Sequence, residues 1–262
     1  MKKSAIVQAS WYDHPRLYDI AFGSETRMEA DFFQAAFRKY CPFRVRRLLE
    51  PACGTGRLVV EMAGRGYRVS GFDLSGPSLA YLRHRLKRRS LRAEIFHADM
   101  ADFHLDAPAD AAWCTFDSFR HLLTEEAAQN HLQCIAESLR SGGIYILGFH
   151  LLPPDASEEC TERWTEQRGR TRVTVTLRVL STDRRRRIET LRISLLARVG
   201  SREIRLCDDF QFRMYTAAQF RRLLAQVPSL ELLDVYDFWY KIERPLALDN
   251  ELSDAVFILR KR

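Results

Sequence analysis

The segment from Glu50 to Leu58 combines an acidic side chain with a glycine-rich turn and reads Glu-Pro-Ala-Cys-Gly-Thr-Gly-Arg-Leu. Two glycines one residue apart, Gly54 and Gly56, let the backbone turn tightly and lie close to a ligand. The apolar run before the turn predicts a strand. The pattern after it predicts a helix, whose free N–H groups point at the same place. The segment therefore predicts a nucleotide-type site at the end of the first strand of an α/β sheet.

The acid restricts the ligand of this loop. A dinucleotide-binding loop reads G-x-G-x-x-G, but Val59 stands where the third glycine would be. A phosphate-binding Walker loop is absent, because no Gly-Lys-Ser/Thr follows. The negative charge of Glu50 beside the loop suits a neutral or cationic ligand better than a pyrophosphate.

A second carboxylate follows the next predicted strand, residues 67–72. Asp73 comes 23 residues after Glu50, at the carboxyl end of that strand. An acid at this place can accept both hydrogen bonds of a ribose diol. It can also cap the helix that Pro77 opens, and the two roles are compatible.

Two segments carry a resemblance to a known family. The loop from Glu50 to Gly56 resembles motif I of the class I S-adenosylmethionine-dependent methyltransferases, whose commoner form is acid-x-G-x-G-x-G. Ala52 replaces the first glycine, and we expect only a small adjustment of the turn. Residues 116–122, Phe-Asp-Ser-Phe-Arg-His-Leu, resemble motif IV of the small-molecule methyltransferases (methyltransferase domain 25/11-like). The resemblance covers nearly the whole chain.

This resemblance implies a cofactor, S-adenosyl-L-methionine, and its product S-adenosyl-L-homocysteine. In it Asp73 binds the ribose, the carboxylate of Asp99 accepts the adenine amine, and Met100 packs on the adenine ring. The alternative for Asp99 is a simple turn residue. The cofactor-binding residues that the resemblance implies are Glu50, Ala52, Cys53, Gly54, Gly56, Asp73, Leu74, Asp99, Met100 and Phe116.

The resemblance also implies the residues that face the methyl acceptor. They are Tyr12, Tyr18, Ser118 and His121; the alternative for the tyrosines is an aromatic staple onto the core. His121 and His150 follow predicted strands 4 and 5, and either could take a proton near neutral pH. We rank His121 first as the catalytic base, although it could also be a capped histidine in a first turn. Methyl transfer from a sulfonium is an in-line displacement, which requires no metal.

The hydrophobic pattern predicts an α/β fold. Strands and helices alternate up to Pro154, which indicates a parallel, doubly wound, Rossmann-like sheet. The resemblance to class I methyltransferases implies seven strands in the order 3-2-1-4-5-7-6, with the last strand antiparallel. Residues 1–26 read as irregular, and a helix follows over 25–40. Predicted strand 5 spans 144–149, after a helix that Ser141-Gly142-Gly143 ends.

After Pro154 the apolar residues recur with a period of two, as in Val173, Val175 and Leu177. This pattern predicts an antiparallel meander of three strands over 160–214, inserted after strand 5. Its apolar face would meet the mouth of the active site, with some homodimer contact. We therefore predict one methyltransferase domain over 1–262, with residues 1–40 as an N-terminal helical cap.

Charge and composition restrict the partners. The net charge is +7, and arginines cluster at 83–89 and 184–187. These clusters could hold nucleic acid, but no aromatic-rich RNA motif accompanies them, so we favour solvated surfaces and a small-molecule acceptor. Six scattered cysteines without a C-x-x-C pair argue against zinc and for a cytoplasmic location. No apolar run is long enough to span a membrane, and no apolar segment of a secretory signal follows Lys2 and Lys3.

These observations favour a methyltransferase that moves a methyl group to N or O of a small molecule. Two alternatives stay open. The basic charge would suit a methyltransferase acting on RNA or protein. The chain could also be a catalytically silent protein that binds S-adenosylmethionine.

Overall fold

The main sheet of the protein is a mixed sheet of seven strands, and a second sheet of five strands lies beside it. These elements come from a computed structural model, which describes residues 6–8, 10–157 and 160–262, with backbone alone for 6–8. Lys2 and Lys3, which entered the expectation about a secretory signal, lie outside the described residues.

The main sheet has the predicted order. Its strands are β2 (Arg47–Pro51), β3 (Arg68–Asp73), β4 (Glu94–His97), β5 (Ala109–Cys114), β6 (Leu139–His150), β11 (Leu230–Tyr236) and β12 (Asp254–Lys261). They lie in the order β11-β12-β6-β5-β2-β3-β4, and β12 is antiparallel to both of its neighbours. In chain order this is 3-2-1-4-5-7-6, so the prediction is confirmed. Every residue of β5 is buried, as expected for a central parallel strand covered on both faces.

Helices cover both faces of this sheet. They are α2 (Thr26–Tyr40), α3 (Arg57–Gly64), α4 (Gly76–Arg88), α5 (Glu125–Ser138) and α6 (Ala217–Ala225). Thr124 caps α5 by accepting the N–H of Ala127, and Thr216 and Gln219 form a capping box at α6. Both helix N-termini could be predicted from the sequence, because Thr followed by glutamate or glutamine is typical of a helix start.

The start of β6 corrects the sequence prediction. Ser141, Gly142 and Gly143 lie within the strand instead of ending the preceding helix, which stops at Ser138. The register against β5 shifts between Ala109 and Ala111, so these residues form an irregularity in the ladder. A Cβ on Gly143 would lie 2.7 Å from the carbonyl oxygen of Asp110, which explains why glycine is needed there.

The inserted meander has four strands instead of the three predicted. They are β7 (Thr161–Arg168), β8 (Thr171–Asp183), β9 (Ile188–Val199) and β10 (Arg202–Arg213), all antiparallel, and β1 (Ile6–Gln8) joins β10 in parallel. The missing strand is β7, an edge strand whose residues are largely exposed. It therefore lacks the apolar alternation by which the other strands were recognised.

The N-terminal segment covers the apolar face of the meander. Residues 1–26 read as irregular in the sequence, but Pro15–Ala21 forms a helix, α1, after a 3-10 turn at Trp11–Asp13. Trp11 and Ile20 pack against Val175 and Leu195 of the second sheet. Pro15 at the first position of α1 presets the helical φ angle. The face that was expected to meet the mouth of the active site, with some homodimer contact, thus packs on the N-terminal segment of this same chain.

Gly56, the residue before α3, lies against Leu82 of α4, so a substitution there tests the packing between these two helices. Its φ is +69°, and a Cβ there would lie 2.1 Å from Cδ1 of Leu82. We expect Gly56→Ala to lower the free energy of unfolding by about 3 kcal/mol, through both the left-handed φ and the clash. Urea denaturation measures it.

Gly66→Ala is the matched control, because Gly66 has φ +89° with nothing within 4 Å of its Cβ position. Gly66→Ala should lower the free energy of unfolding by only about 1 kcal/mol. Equal losses in the two variants would contradict the proposed clash with Leu82.

Candidate active site

The loop after β2 is built from left-handed backbone. Ala52, Gly54 and Gly56 have φ angles of +51°, +50° and +69°. The side chain of alanine makes this conformation unfavourable, so Ala52 is held there by its surroundings. The N–H of Cys53 donates to the carbonyl oxygen of Phe72 at 2.8 Å, which ties the loop to the end of β3.

Asp73 joins this loop to the next one. Its Oδ2 accepts the N–H of Gly54 and its Oδ1 accepts the N–H of Ser75, each at 2.7 Å. Burial nevertheless raises the pKa of Asp73, although both amides work to lower it. The carboxylate is therefore fixed in position between two backbone turns, and each of its oxygens keeps a second lone pair for a ligand.

A cavity of about 410 Å³ opens at these two loops, and we call it the loop cavity. It brings together most of the residues predicted from the sequence. Its wall comprises Tyr12, Tyr18, Ala52, Gly54, Asp73, Leu74, Ser75, Ser78, Ala98, Met100, Phe116, Ser118 and His121. Of these, sequence reasoning missed Ser75 and Ala98, which are neighbours of predicted residues in strand-end loops, and Ser78, which lies in the first turn of α4.

Four predicted cofactor residues lie outside the described wall of this cavity. Cys53 is buried behind the loop, and the position of Gly56 is packed against Leu82. Asp99 accepts the N–H of Ala101 at 2.8 Å within its own turn, the role that the sequence left open as its alternative.

Glu50, the fourth, is buried, and its Oε2 has no hydrogen-bond partner among the described residues. Burial raises the pKa of Glu50 to about 8, against the opposing effect of the Arg57 charge. Arg57 is itself paired through both of its terminal nitrogens with the buried Glu29. A bound cation would stabilise the ionised form of this buried carboxyl group, one oxygen of which has no partner among the described residues.

His121 lies in the loop cavity, where its Nε2 and the hydroxyl of Tyr12 are hydrogen-bonded at 2.9 Å. Burial lowers the pKa of His121 to about 4, so the imidazole is neutral at pH 7. Burial likewise raises the pKa of Tyr18 to about 12, which keeps its hydroxyl protonated.

The turn after β5 holds the other histidine. Phe116 and Asp117 have φ angles of +59° and +64°, and Asp117 accepts the N–H of His150 at 2.9 Å and its Nδ1–H at 2.6 Å. Burial works to raise the pKa of Asp117, but Arg120 and His150 outweigh it and lower the pKa. The same carboxylate raises the pKa of His150 above 6.5, against the effect of burial.

A second cavity of about 350 Å³ adjoins the first, and we call it the aromatic cavity. Its wall comprises Trp11, Tyr12, Tyr18, Ala21, Phe22, Ser24, Glu25, Phe116, Asp117, His150, Glu162, Trp164, Glu166, Leu177, Ile193, Phe210 and Phe212. Tyr12, Tyr18 and Phe116 line both cavities, so these three rings form the boundary between them.

The two predicted histidines thus face different spaces, His121 the loop cavity and His150 the aromatic cavity. Sequence reasoning did not assign Trp164, Glu166 or Glu25 to a site. No sequence pattern marked these residues, because β7, which contains Trp164 and Glu166, was not recognised as a strand, and Glu25 stands only at the start of a helix.

Comparison with known proteins agrees with this geometry. A family model described as a methyltransferase domain matches residues 48–143. That range begins in β2 and ends in β6, so it contains the Glu50–Gly56 loop, Asp73 and the turn at Phe116. Similar proteins include a putative methyltransferase of Geobacillus sp. (strain WCH70), 29% identical over 119 residues, 45% of this chain and 48% of that protein.

Another relative is the dTDP-3-amino-3,6-dideoxy-alpha-D-glucopyranose N,N-dimethyltransferase of Streptomyces fradiae. It is 30% identical over 161 residues, which cover 60% of this chain and 61% of the relative. The matched segment of this chain thus spans about half to three fifths of the length of these relatives.

Solved structures share the fold over nearly the whole chain. DesVI of Streptomyces venezuelae has a TM-score of 0.79 at 19% identity, covering 98% of this chain and 100% of that one. An S-adenosylmethionine-dependent methyltransferase of Clostridium acetobutylicum has a TM-score of 0.79 at 16% identity, covering 96% and 98%. No described helix is long and apolar enough to cross a membrane. The resemblance read from motifs I and IV is confirmed over residues 48–143, which contain both motifs and match the methyltransferase domain.

Proposed function

We propose that this protein transfers a methyl group from S-adenosylmethionine to a nitrogen of a small molecule. The observation that carries the proposal is the pair of adjoining cavities, which share Tyr12, Tyr18 and Phe116. One has the backbone loops and carboxylate of a nucleoside site, and the other is a mostly apolar pocket of small-molecule size. Transfer to nitrogen is favoured because relatives from two Streptomyces species are named as N,N-dimethyltransferases.

The loop cavity fits the nucleoside part of the cofactor. Asp73 is placed to accept the ribose hydroxyls, and Met100 offers an apolar surface to the adenine. A ligand that carries an ammonium and a sulfonium would favour the ionised form of Glu50, which is buried with its Oε2 unpartnered among the described residues. The cofactor supplies an activated methyl group, whose bond to sulfur breaks as the acceptor's lone pair forms the new bond.

The work of the chain is to align the acceptor and exclude water. The N-terminal segment, within residues 1–40, supplies three rings at the boundary and beside it: Trp11, Tyr12 and Tyr18. The meander, within 160–214, supplies the far wall of the aromatic cavity. Both act as parts of one methyltransferase domain over 1–262, and a homodimer through the meander stays a prediction.

His150 is better placed than His121 to take a proton from the acceptor. It lines the aromatic cavity, and Asp117 holds its Nδ1–H, which leaves Nε2 as the accepting nitrogen. The carboxylate also raises its pKa, whereas burial lowers the pKa of His121 to about 4 and makes it a weak base. This reverses the ranking drawn from the motif, in which His121 came first.

The proposal is tested by incubating the purified protein with S-adenosylmethionine and a panel of small primary amines and the matching alcohols. We expect S-adenosylhomocysteine to form with amines and not with alcohols. Product formed only with RNA or protein added would contradict the proposal.

Asp73→Ala tests the cofactor site. Loss of the carboxylate removes two hydrogen bonds to the ribose, and we expect affinity for S-adenosylhomocysteine to fall by about tenfold to a hundredfold. Isothermal titration calorimetry measures it. Asp99→Ala is the control, since Asp99 lies outside the described wall of the cavity, and its effect should be within about threefold. Unchanged affinity in Asp73→Ala would remove the ribose assignment.

Glu50→Gln tests the raised pKa of Glu50 through its effect on stability. The folded pKa of about 8 lies above the ordinary 4.5, so the stabilising contribution of Glu50 is present below pH 4.5 and is lost as pH rises through 8. The gain in unfolding free energy on Glu50→Gln should therefore grow by about 3 kcal/mol from about pH 5.5 to about pH 8.

Urea denaturation at both pH values measures this gain, and affinity for S-adenosylmethionine should fall in the same variant. The exposed Glu243 gives the control, Glu243→Gln, which should change neither quantity. A pH-independent effect of Glu50→Gln would contradict the raised pKa of Glu50.

His150→Gln tests the base, with His121→Gln for comparison. We expect kcat to fall about a hundredfold in the first and less than about tenfold in the second.

In the unmodified protein activity should rise with pH, with a midpoint above 6.5, since Asp117 raises the pKa of His150. Asp117→Asn should move this midpoint to lower pH, and a midpoint that does not move would contradict the role of His150.

A further inference from the structure

The aromatic cavity carries an excess of negative charge. Glu25, Glu162 and Glu166 line it together with Asp117, and no lysine or arginine stands among its described lining residues. His150 is the one histidine in that described wall, and it is hydrogen-bonded to Asp117. The wall is therefore acidic although the whole chain has a net charge of +7.

Two of these carboxylates, Glu25 and Glu166, are close enough for their charges to interact. Burial raises the pKa of Glu25, and the charges of Glu29 and Glu166 raise it further, against Arg57. The guanidinium of Arg57 lies 4.6 Å from the centre of the Phe116 ring, which belongs to both cavities. A bound cation would relieve this repulsion between carboxylates.

Aromatic rings surround the same space. Phe22 packs edge-on against Trp164 with 5.5 Å between ring centres, and against Phe116 with 6.1 Å. Trp11 stacks on Phe210 at 6.2 Å. Rings of this kind bind cations through their faces and apolar groups through their area.

Arginines close to the cavity are paired with carboxylates of the protein. Arg57 pairs with Glu29, Arg120 with Glu189 and Asp117, and Arg168 with Asp19. Arginine and lysine are the usual side-chain donors to the phosphates of a nucleoside diphosphate, arginine often in paired geometry. The described wall of the aromatic cavity offers none.

We infer that the acceptor of this enzyme is a positively charged amine on an aromatic or apolar body, and that it carries no phosphate. This inference rests on the proposed methyltransferase function and names its substrate class. It separates this chain from the relative of Streptomyces fradiae, which is named for a dTDP-linked amino sugar.

The reaction balances with such an acceptor. The ammonium first gives one proton to Nε2 of His150. The freed lone pair then forms the nitrogen–methyl bond while the sulfur–methyl bond breaks and its electron pair remains on sulfur. A neutral thioether and a methylated ammonium result, and the proton on His150 passes to water.

Calorimetry on the full chain saturated with S-adenosylhomocysteine tests the inference, with 2-phenylethylamine, 2-phenylethanol and thymidine diphosphate as probes. We expect the amine to bind about tenfold more tightly than the alcohol, and thymidine diphosphate to give no saturable heat. The double variant Glu25→Gln, Glu166→Gln should abolish the preference for the amine. Glu243→Gln, an exposed control, should keep it.

The outcomes distinguish the two proposals. Absence of S-adenosylhomocysteine binding would overturn the proposed function itself. If S-adenosylhomocysteine binds but the amine binds no better than the alcohol, or thymidine diphosphate binds more tightly than the amine, the acceptor class is wrong while the methyltransferase function stands. A preference for the amine that survives in the double variant would also overturn the role of the carboxylates.

Discussion

The site depends on the two hydrogen bonds that the Asp73 carboxylate accepts from backbone amides. Gly54 belongs to the turn after β2 and Ser75 to the turn after β3, so one side chain fixes the distance between two loops. The left-handed φ angles from Ala52 to Gly56 bring the first of these amides into range. Because backbone amides are held by their strands, the carboxylate is preorganised before any ligand arrives.

A similar constraint organises the acceptor side. Asp117, in left-handed backbone, accepts two hydrogen bonds from His150, and these join the ends of β5 and β6. Asp117 also pairs with Arg120. Phe116, one residue earlier, is turned toward both cavities. The N-terminal rings then complete the boundary, so two strand ends and one distant segment together define where acceptor and cofactor would meet.

Much of this could be predicted from the sequence, because local patterns encode it. The parallel, doubly wound sheet followed from alternating strands and helices, the order of its strands from the family resemblance, and the two helix caps from Thr124 and Thr216. The pattern failed where structure depends on distant contacts. Strand β7 is exposed at an edge and lacks apolar alternation, and α1 is stabilised by packing on the meander. The pKa values of His121 and His150 depend on burial and on Asp117, which their positions in the sequence do not report.

A crystal structure of the protein with S-adenosylhomocysteine would show whether the Asp73 carboxylate binds the ribose. We expect both ribose hydroxyls within hydrogen-bonding distance of the Asp73 carboxylate, with the adenine beside Met100 and the sulfur directed past Phe116 toward the aromatic cavity. A ligand bound elsewhere, or one whose ribose makes no contact with Asp73, would contradict it.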